Sequence, residues 1–286
     1  MNIRKRNVLL VTVISVVMAI LRTLLVSVNL EKNSGNADIY YLPENFAVIA
    51  FAVASAILLL AFLVSAFKFG RKTVELDDAS IASSVGSLIA SFALIGTTIA
   101  YSFVFDARQK DPDFFANGIH GRDMVDSQEP SVLEIFVIAF AVASALKFLL
   151  IGIRNHRIAK LKPSSVSILT LFPIIFSALR LLYDFVETSA IPFASSNAYH
   201  MVSLIAVLLF FLTEGKAYVS ESKAVLTDFY GYTAIFMLSV FAIPNFILHV
   251  FGTLTFDIDA AFSIADTGIA VYVITKLYSS KTTEAE

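Results

Sequence analysis

Eight long apolar stretches constrain this chain more than any other feature of its sequence. They cover residues 8–30, 46–69, 81–106, 132–153, 164–187, 199–219, 226–251 and 258–278. About 20 apolar residues in an α-helix cross the hydrocarbon core of a bilayer. Lipid offers no partner to an unpaired backbone group, so each stretch must be helical. The sequence therefore predicts an all-α polytopic bundle of about eight transmembrane helices, with residues 1–286 forming a single integral-membrane domain.

The composition agrees with a chain whose solvent is lipid. Hydrophobic residues make up 57% of the chain and charged residues 15%, whereas a soluble domain carries about 25% charged residues. The net charge is −2, so the chain has no excess of positive charge with which to bind nucleic acid. The predicted partner is therefore the lipid bilayer. Because the chain contains no cysteine, disulfides, cysteine-ligated metals and thiol nucleophiles are excluded.

The basic residues predict the orientation of the bundle. If the N-terminus is cytoplasmic, fourteen lysines and arginines fall in cytoplasmic segments, and only Lys32, Arg108, Lys110 and Arg122 fall in outer ones. Cytoplasmic loops are enriched in lysine and arginine, and an even number of helices returns the chain to its starting side. We therefore predict cytoplasmic N- and C-termini in a multi-pass protein of the cell membrane, specifically a bacterial plasma membrane.

A nine-residue sequence occurs twice in the chain. Val-Ile-Ala-Phe-Ala-Val-Ala-Ser-Ala is found at 48–56 and again at 137–145, in two predicted helices that run from outside to inside. A weaker similarity relates the sequence around Arg22 in the first helix to that around Arg180 in the fifth. These similarities predict internal parallel repeats, which are frequent in transporters but also occur in receptors and scaffolds.

Ionisable side chains in the outer half of the predicted helices mark the candidate site. At about 1.5 Å per residue, Arg22, Arg180 and Asp266 lie at similar depths, and Asp184 and Glu187 share a helix face with Arg180. Charges in a membrane are costly and are therefore a functional hypothesis by default. The candidate ligand-binding residues are Arg22, Arg180, Asp184, Glu187, Asn245, His249 and Asp266.

Two interpretations of this outer layer remain open. In the functional one, two arginines bind a carboxylate or phosphate in a bidentate manner, while the carboxylates balance charge or relay a proton. In the structural one, Arg180 pairs with Asp184 along its helix, and Arg22 pairs with Asp266 between helices. Asn245 follows Pro244 in the seventh predicted helix, where a proline frees a backbone carbonyl.

Other polar residues are predicted to be structural. The third helix is rich in small residues between Ser83 and Thr98, which favours close helix packing, with a polar conduit as the alternative. Lys147 and Glu214 lie near the predicted inner ends of their helices. We expect both to be interfacial anchors, because a lysine this close to the surface can extend its ammonium group to water.

No catalytic motif, catalytic residue, cofactor or metal site is predicted. The four histidines lie on different segments without metal-ligand spacing, and the usual hydrolase and nucleotide-binding signatures are missing. We predict a permease, or a membrane subunit of a transport system, for a small anionic or zwitterionic ligand, with an ATPase or another membrane subunit as a partner. The alternatives are a receptor, sensor or scaffold that moves nothing, and an intramembrane enzyme that acts on a lipid-linked substrate.

Overall fold

Nine α-helices and two short strands make up the part of the chain that the structure, a computed structural model, describes. This part comprises residues 3–32, 46–67, 72–75, 80–110, 131–154, 163–188, 195–219, 223–251 and 258–284. The helices are α1 (Ile3–Lys32), α2 (Phe46–Phe67), α3 (Ile81–Lys110), α4 (Val132–Arg154), α5 (Pro163–Leu169), α6 (Leu171–Thr188), α7 (Ser195–Ala217), α8 (Ala224–Val250) and α9 (Ile258–Ser279). The strands are β1 (Lys72–Glu75) and β2 (Lys281–Glu284).

Within the described residues, eight helical segments are long and apolar enough to cross a membrane. The predicted all-α polytopic bundle is thus confirmed. The fifth predicted stretch is divided into α5 and α6, with a break at Thr170. Pro173 explains the break, because it has no N–H to donate to the carbonyl of Leu169, four residues earlier. Residues 111–130, between the third and fourth predicted stretches, lie outside the described residues.

Polar and apolar side chains are distributed as expected for a protein surrounded by lipid. Large apolar side chains such as Val53 and Leu60 are more than half exposed on the surface of the bundle, whereas Lys147, Arg180 and Asp266 are fully buried. A charge in contact with hydrocarbon is costly, so ionisable groups in membrane proteins face the protein interior. The buried charged groups of the described residues therefore lie inside the bundle.

Six of the described helices form a closed ring. In the order α3, α4, α6, α7, α8 and α9, each helix packs against the next, and α9 packs against α3. Outside the ring, α1 packs against α8 and α9, while α2 packs mainly against α8. A contact between two helices that are not adjacent in the ring must therefore cross its interior.

The two ends of the described chain lie at the same face of the bundle. Arg4 of α1 donates from Nη1 to Ser280 Oγ, just after α9, at 2.6 Å, and from Nε to Asp228 Oδ1 of α8 at 2.9 Å. The strand β1, which follows α2, pairs antiparallel with β2. This arrangement is the one that an even number of spans requires. We call this face the inner face, in keeping with its basic residues, and the opposite one the outer face.

Small residues bring α3 and α9 close together. A Cβ added to Gly86 would lie 1.8 Å from Thr275 Oγ1, and one added to Gly268 would lie 2.3 Å from Ala93 Cβ. Thr97 of α3 also donates a hydrogen bond to the carbonyl of Ala261 in α9 at 3.0 Å. The predicted close packing of the third helix is confirmed, since any larger side chain at these glycines would separate the two helices.

The two copies of the nine-residue sequence lie in α2 and α4, which run in the same direction. Ser55 donates to the carbonyl of Phe51 at 2.9 Å, and Ser144 donates to that of Phe140 at 2.7 Å, so the same local bond occurs in both. Their surroundings differ, because α4 is part of the ring and α2 is not. The copies are thus alike in sequence and direction but differ in burial.

Candidate functional site

Arg180 and Asp266 form an ion pair across the interior of the ring. Arg180 belongs to α6 and Asp266 to α9, which are not adjacent helices. The guanidinium Nη1 lies 2.5 Å from Asp266 Oδ1, and Nη2 lies 2.9 Å from Oδ2. Both side chains are fully buried, and the guanidinium carbon lies 4.4 Å from the ring centroid of Phe262. This bidentate geometry is the strong form of an arginine–carboxylate pair.

His200 of α7 extends this pair to a second carboxylate. Its Nε2 lies 2.8 Å from Arg180 Nη2, and its Nδ1 lies 2.9 Å from Asp184 Oδ2. Because a guanidinium can only donate, a hydrogen bond to Nε2 requires the histidine to accept there. In that tautomer the ring proton is on Nδ1, facing Asp184. We call Arg180, Asp184, His200 and Asp266 the outer cluster; it joins α6, α7 and α9.

Arg22 lies near the outer cluster but takes a different partner. Its Nη1 donates to the carbonyl of Val240 in α8 at 2.9 Å. In a regular helix that carbonyl would accept from residue 244, but Pro244 has no N–H, so Arg22 supplies the missing donor. The guanidinium lies 5.9 Å from the ring centroid of Phe241, on which His200 stacks at 4.1 Å. One aromatic ring therefore connects Arg22 with the outer cluster.

These contacts correct the predicted structural pairing. Asp266 is bound by Arg180 and not by Arg22, and Arg22 instead binds the carbonyl of Val240, which Pro244 leaves without its helical donor. The error has a physical reason, because depth along a helix does not tell which faces point at each other. Arg180, Asp184 and Asp266 do come together, with His200 as a fourth member.

Three candidate residues remain: Asn245, His249 and Glu187. Asn245 and His249 are half-buried in the outer part of α8. Glu187 belongs to the last turn of α6, but its side chain lies outside the described residues. The structure therefore leaves the role of these three residues as a prediction.

A second charged cluster lies towards the inner face. Lys147 Nζ of α4 lies 3.3 Å from Glu214 Oε2 of α7 and 3.3 Å from the Tyr272 hydroxyl of α9. The Tyr272 hydroxyl also donates to Glu214 Oε1. Lys276, one turn further along α9, lies 3.7 Å from Glu214 Oε1 and donates to the Tyr218 hydroxyl at 2.8 Å. We call these five residues the inner cluster; it joins α4, α7 and α9 across the ring.

The prediction that Lys147 and Glu214 are interfacial anchors is wrong. Both side chains are fully buried, and Lys147 Nζ lies within cation–π distance of three rings, at 4.4 Å from Phe148, 5.2 Å from Phe211 and 4.8 Å from Tyr272. Their opposite charges within the last two turns of α4 and the last turn of α7 were a signal for this pair. Snorkelling was the simpler expectation for a lysine near a helix end.

The described residues contain no group of three or more histidine, aspartate or glutamate side chains that could hold a metal ion. Compared with models of protein families, with curated proteins and with solved structures, the chain matches none. The two buried clusters are therefore the features of the described chain from which a function can be proposed.

Proposed function

We propose that this protein is a small-solute permease, or the membrane subunit of a transport system, and that it binds an anionic or zwitterionic solute at the outer cluster. The observation that carries the proposal is the position of this cluster. Charged groups from α6, α7 and α9 meet inside the ring, and ionisable groups in the interior of membrane bundles mark solute and proton pathways. The basic bias towards the inner face supports a plasma-membrane location, with the outer cluster nearer the outside.

The ion pair itself suggests how a solute would bind. A zwitterionic solute can place its carboxylate on Arg180 and its ammonium group on Asp266 or Asp184, so each buried charge exchanges one partner for another. This exchange avoids leaving a charge unpaired in a medium of low dielectric, which would be strongly unfavourable. A bidentate arginine also selects planar anionic groups by shape. Small carboxylates and amino acids therefore fit the proposal best.

A donor in the outer cluster without a hydrogen-bond partner, Arg180 Nε, supports the presence of a ligand. Arg180 Nε is buried and has no hydrogen-bond partner among the described residues. A buried polar atom without a partner costs free energy, so native structures contain few of them. A bound carboxylate that approaches the Nε side of the guanidinium would satisfy this atom.

A different observation favours the second candidate, a receptor or scaffold that moves nothing. Arg180 and Asp266 already bind each other in a bidentate manner, so the pair can act as a tie between α6 and α9. In that case the outer cluster holds the ring closed, and its substitution changes stability rather than uptake.

Uptake by reconstituted liposomes distinguishes these candidates. The probes are radiolabelled amino acids, as zwitterions, and radiolabelled dicarboxylates, as anions. We expect wild-type protein to take up one class, Arg180→Ala to abolish this uptake, and Lys110→Ala, on an exposed side chain, to leave it unchanged. Binding without accumulation by the purified chain would instead support a membrane subunit that needs an ATPase partner.

Two results would contradict the proposal. Uptake that is unchanged in Arg180→Ala would exclude the outer cluster as the solute site. The absence of both uptake and binding for every probe would favour the scaffold. If Arg180→Ala does not fold, the double variant Arg180→Met with Asp266→Leu removes both charges and allows the same comparison.

A further inference from the structure

The inner cluster is a chain of ionisable groups that reaches the inner face. It begins at Tyr218, which is half-buried in the turn after α7. Tyr218 is bound by Lys276 at 2.8 Å, and Lys276 lies 3.7 Å from Glu214. Glu214 accepts from Tyr272, and the Tyr272 hydroxyl lies 3.3 Å from Lys147. Each group is a direct neighbour of the next, and four of the five are fully or almost fully buried.

We propose that the inner cluster is a proton-exchange site in which Glu214 takes up and releases a proton through Lys276 and Tyr218. The inference rests on the proposed function and deepens it, because it identifies the proton as the coupling ion of the permease. Ionisable side chains inside membrane bundles mark proton relays, which are often built from aspartate, glutamate and histidine. The outer cluster would bind the solute, and the inner cluster would exchange the proton with water at the inner face.

The partners of Glu214 favour a proton over a metal cation. Its carboxylate oxygens face the ammonium groups of Lys147 and Lys276 and the hydroxyl of Tyr272. Metal cations such as Ca²⁺ and Mg²⁺ require several oxygen ligands, and two ammonium groups would repel them. A proton needs only the lone pair of one carboxylate oxygen and can move between neighbouring ionisable groups, of which Lys276 and Glu214 form an ion pair at 3.7 Å.

The transfer step balances in atoms and charge. The ammonium group of Lys276 gives a proton to Glu214, so that an N–H bond breaks as an O–H bond forms, leaving an amine beside a carboxylic acid. Lys276 then takes a proton from the Tyr218 hydroxyl, which takes one from a hydronium ion at the inner face and leaves a water molecule. The result is one proton taken up from the inner side, and the reverse sequence releases it.

The groups around Glu214 indicate how its protonation would change the contacts between α4, α7 and α9. Lys147 faces it from α4, Tyr272 and Lys276 face it from α9, and Tyr218 follows it on α7. The short helix α5 and residues 171–179 of α6 contain no ionisable side chain, and the acid of α8 nearest the inner end, Asp228, binds Arg4. Without its negative charge, Glu214 no longer holds the two ammonium groups together. Protonation therefore loosens α4, α7 and α9 from one another at the inner face.

Infrared difference spectroscopy after a pH jump tests the proposal without a solute. Full-length protein in lipid is acidified, and the carbonyl band of a newly protonated carboxylic acid is recorded. We expect wild type to show a band that is lost in Glu214→Gln and retained in Glu134→Gln, which removes another buried carboxylate of the same bundle. Tyr218→Phe should retain the band but slow its appearance by about a hundredfold, the lower end of what a positioned proton-transfer group contributes.

The outcomes separate the two proposals. A wild-type band that persists in Glu214→Gln overturns the proton site, even if uptake depends on Arg180. A band that is lost in Glu214→Gln supports the proton site, even if no probe enters the liposomes and the permease proposal fails. Should Glu214→Gln not fold, Glu214→Asp keeps the charge, and a shift of the band in that variant supports the same assignment. An unshifted band in Glu214→Asp overturns it.

Discussion

Replacing Asp266 by alanine should destabilise the bundle strongly. The substitution removes two hydrogen bonds to the guanidinium of Arg180, at 2.5 and 2.9 Å, and leaves that charge fully buried. Hydrogen bonds to charged groups contribute about 1.5–3 kcal/mol each, so two contribute about 3–6 kcal/mol. Breaking a buried ion pair by deleting one partner costs about 3–5 kcal/mol. We therefore expect the free energy of unfolding to fall by about 3–5 kcal/mol.

The assay is reversible unfolding in mixed micelles, followed by far-ultraviolet circular dichroism. Asp106→Ala is the matched control, because it also removes an aspartate from a close pair, with Lys110 at 2.6 Å, but these side chains are 58% and 73% exposed. An exposed pair of this kind contributes about 0.3–0.5 kcal/mol. The two aspartate variants should therefore differ in stability by several kcal/mol.

A double variant separates the loss of the pair from the cost of an unpaired charge. Arg180→Met with Asp266→Leu removes both charges, and such replacements are often neutral or stabilising. It should recover most of the stability that Asp266→Ala loses. If Asp266→Ala is as stable as Asp106→Ala, or if the double variant is no more stable than the single one, an unpaired Arg180 charge does not destabilise the bundle.

Two further substitutions test the packing and the inner face. Gly86→Leu should abolish stable folding, because even a Cβ would lie 1.8 Å from Thr275 Oγ1, whereas Gly96→Ala should be tolerated, since its Cβ would lie 3.7 Å from the nearest atom. Gel filtration reports folding as monodisperse elution, and a monodisperse Gly86→Leu variant would contradict the close packing of α3 and α9. Arg4→Ala should cost about 3–5 kcal/mol by leaving its carboxylate partner buried and unpaired, whereas Arg6→Ala, on an exposed side chain, should change the free energy of unfolding by less than about 0.5 kcal/mol. Equal changes in the free energy of unfolding for the two arginine variants would show that the buried pair stabilises the protein no more than an exposed arginine does.

The sequence predicted the helices well because the bilayer imposes them. A segment such as Phe46–Phe67 is apolar along its whole length, and lipid permits only a helix there. Hydropathy therefore predicted every span, and the proline at 173 marks the one break within a span of the described chain. The depth of Arg180 and Asp266 was equally readable, since it follows from counting residues.

The partners of the charged residues could not be predicted from the sequence in the same way. Arg22 and Arg180 have similar depths, yet one binds a backbone carbonyl and the other binds Asp266. Which arginine takes which partner depends on the order of helices around the ring, and hydropathy contains no information about that order. Lys147 was misplaced for a related reason, because the same position on a helix can face lipid or the interior.

The bond between Arg22 and the carbonyl of Val240 also has a consequence for biosynthesis. The two residues are 218 positions apart, so at about 5–20 residues per second the ribosome needs roughly 10–40 s to make the partner of an arginine already present in the first helix. Arg4 waits as long for Asp228, 224 positions away. During this interval α1 carries two arginines without their final partners, and lipid is a poor environment for Arg22. We therefore expect α1 to be held by the insertion machinery or near the headgroups until α8 is synthesised, and a delay in that synthesis would expose the nascent chain to degradation.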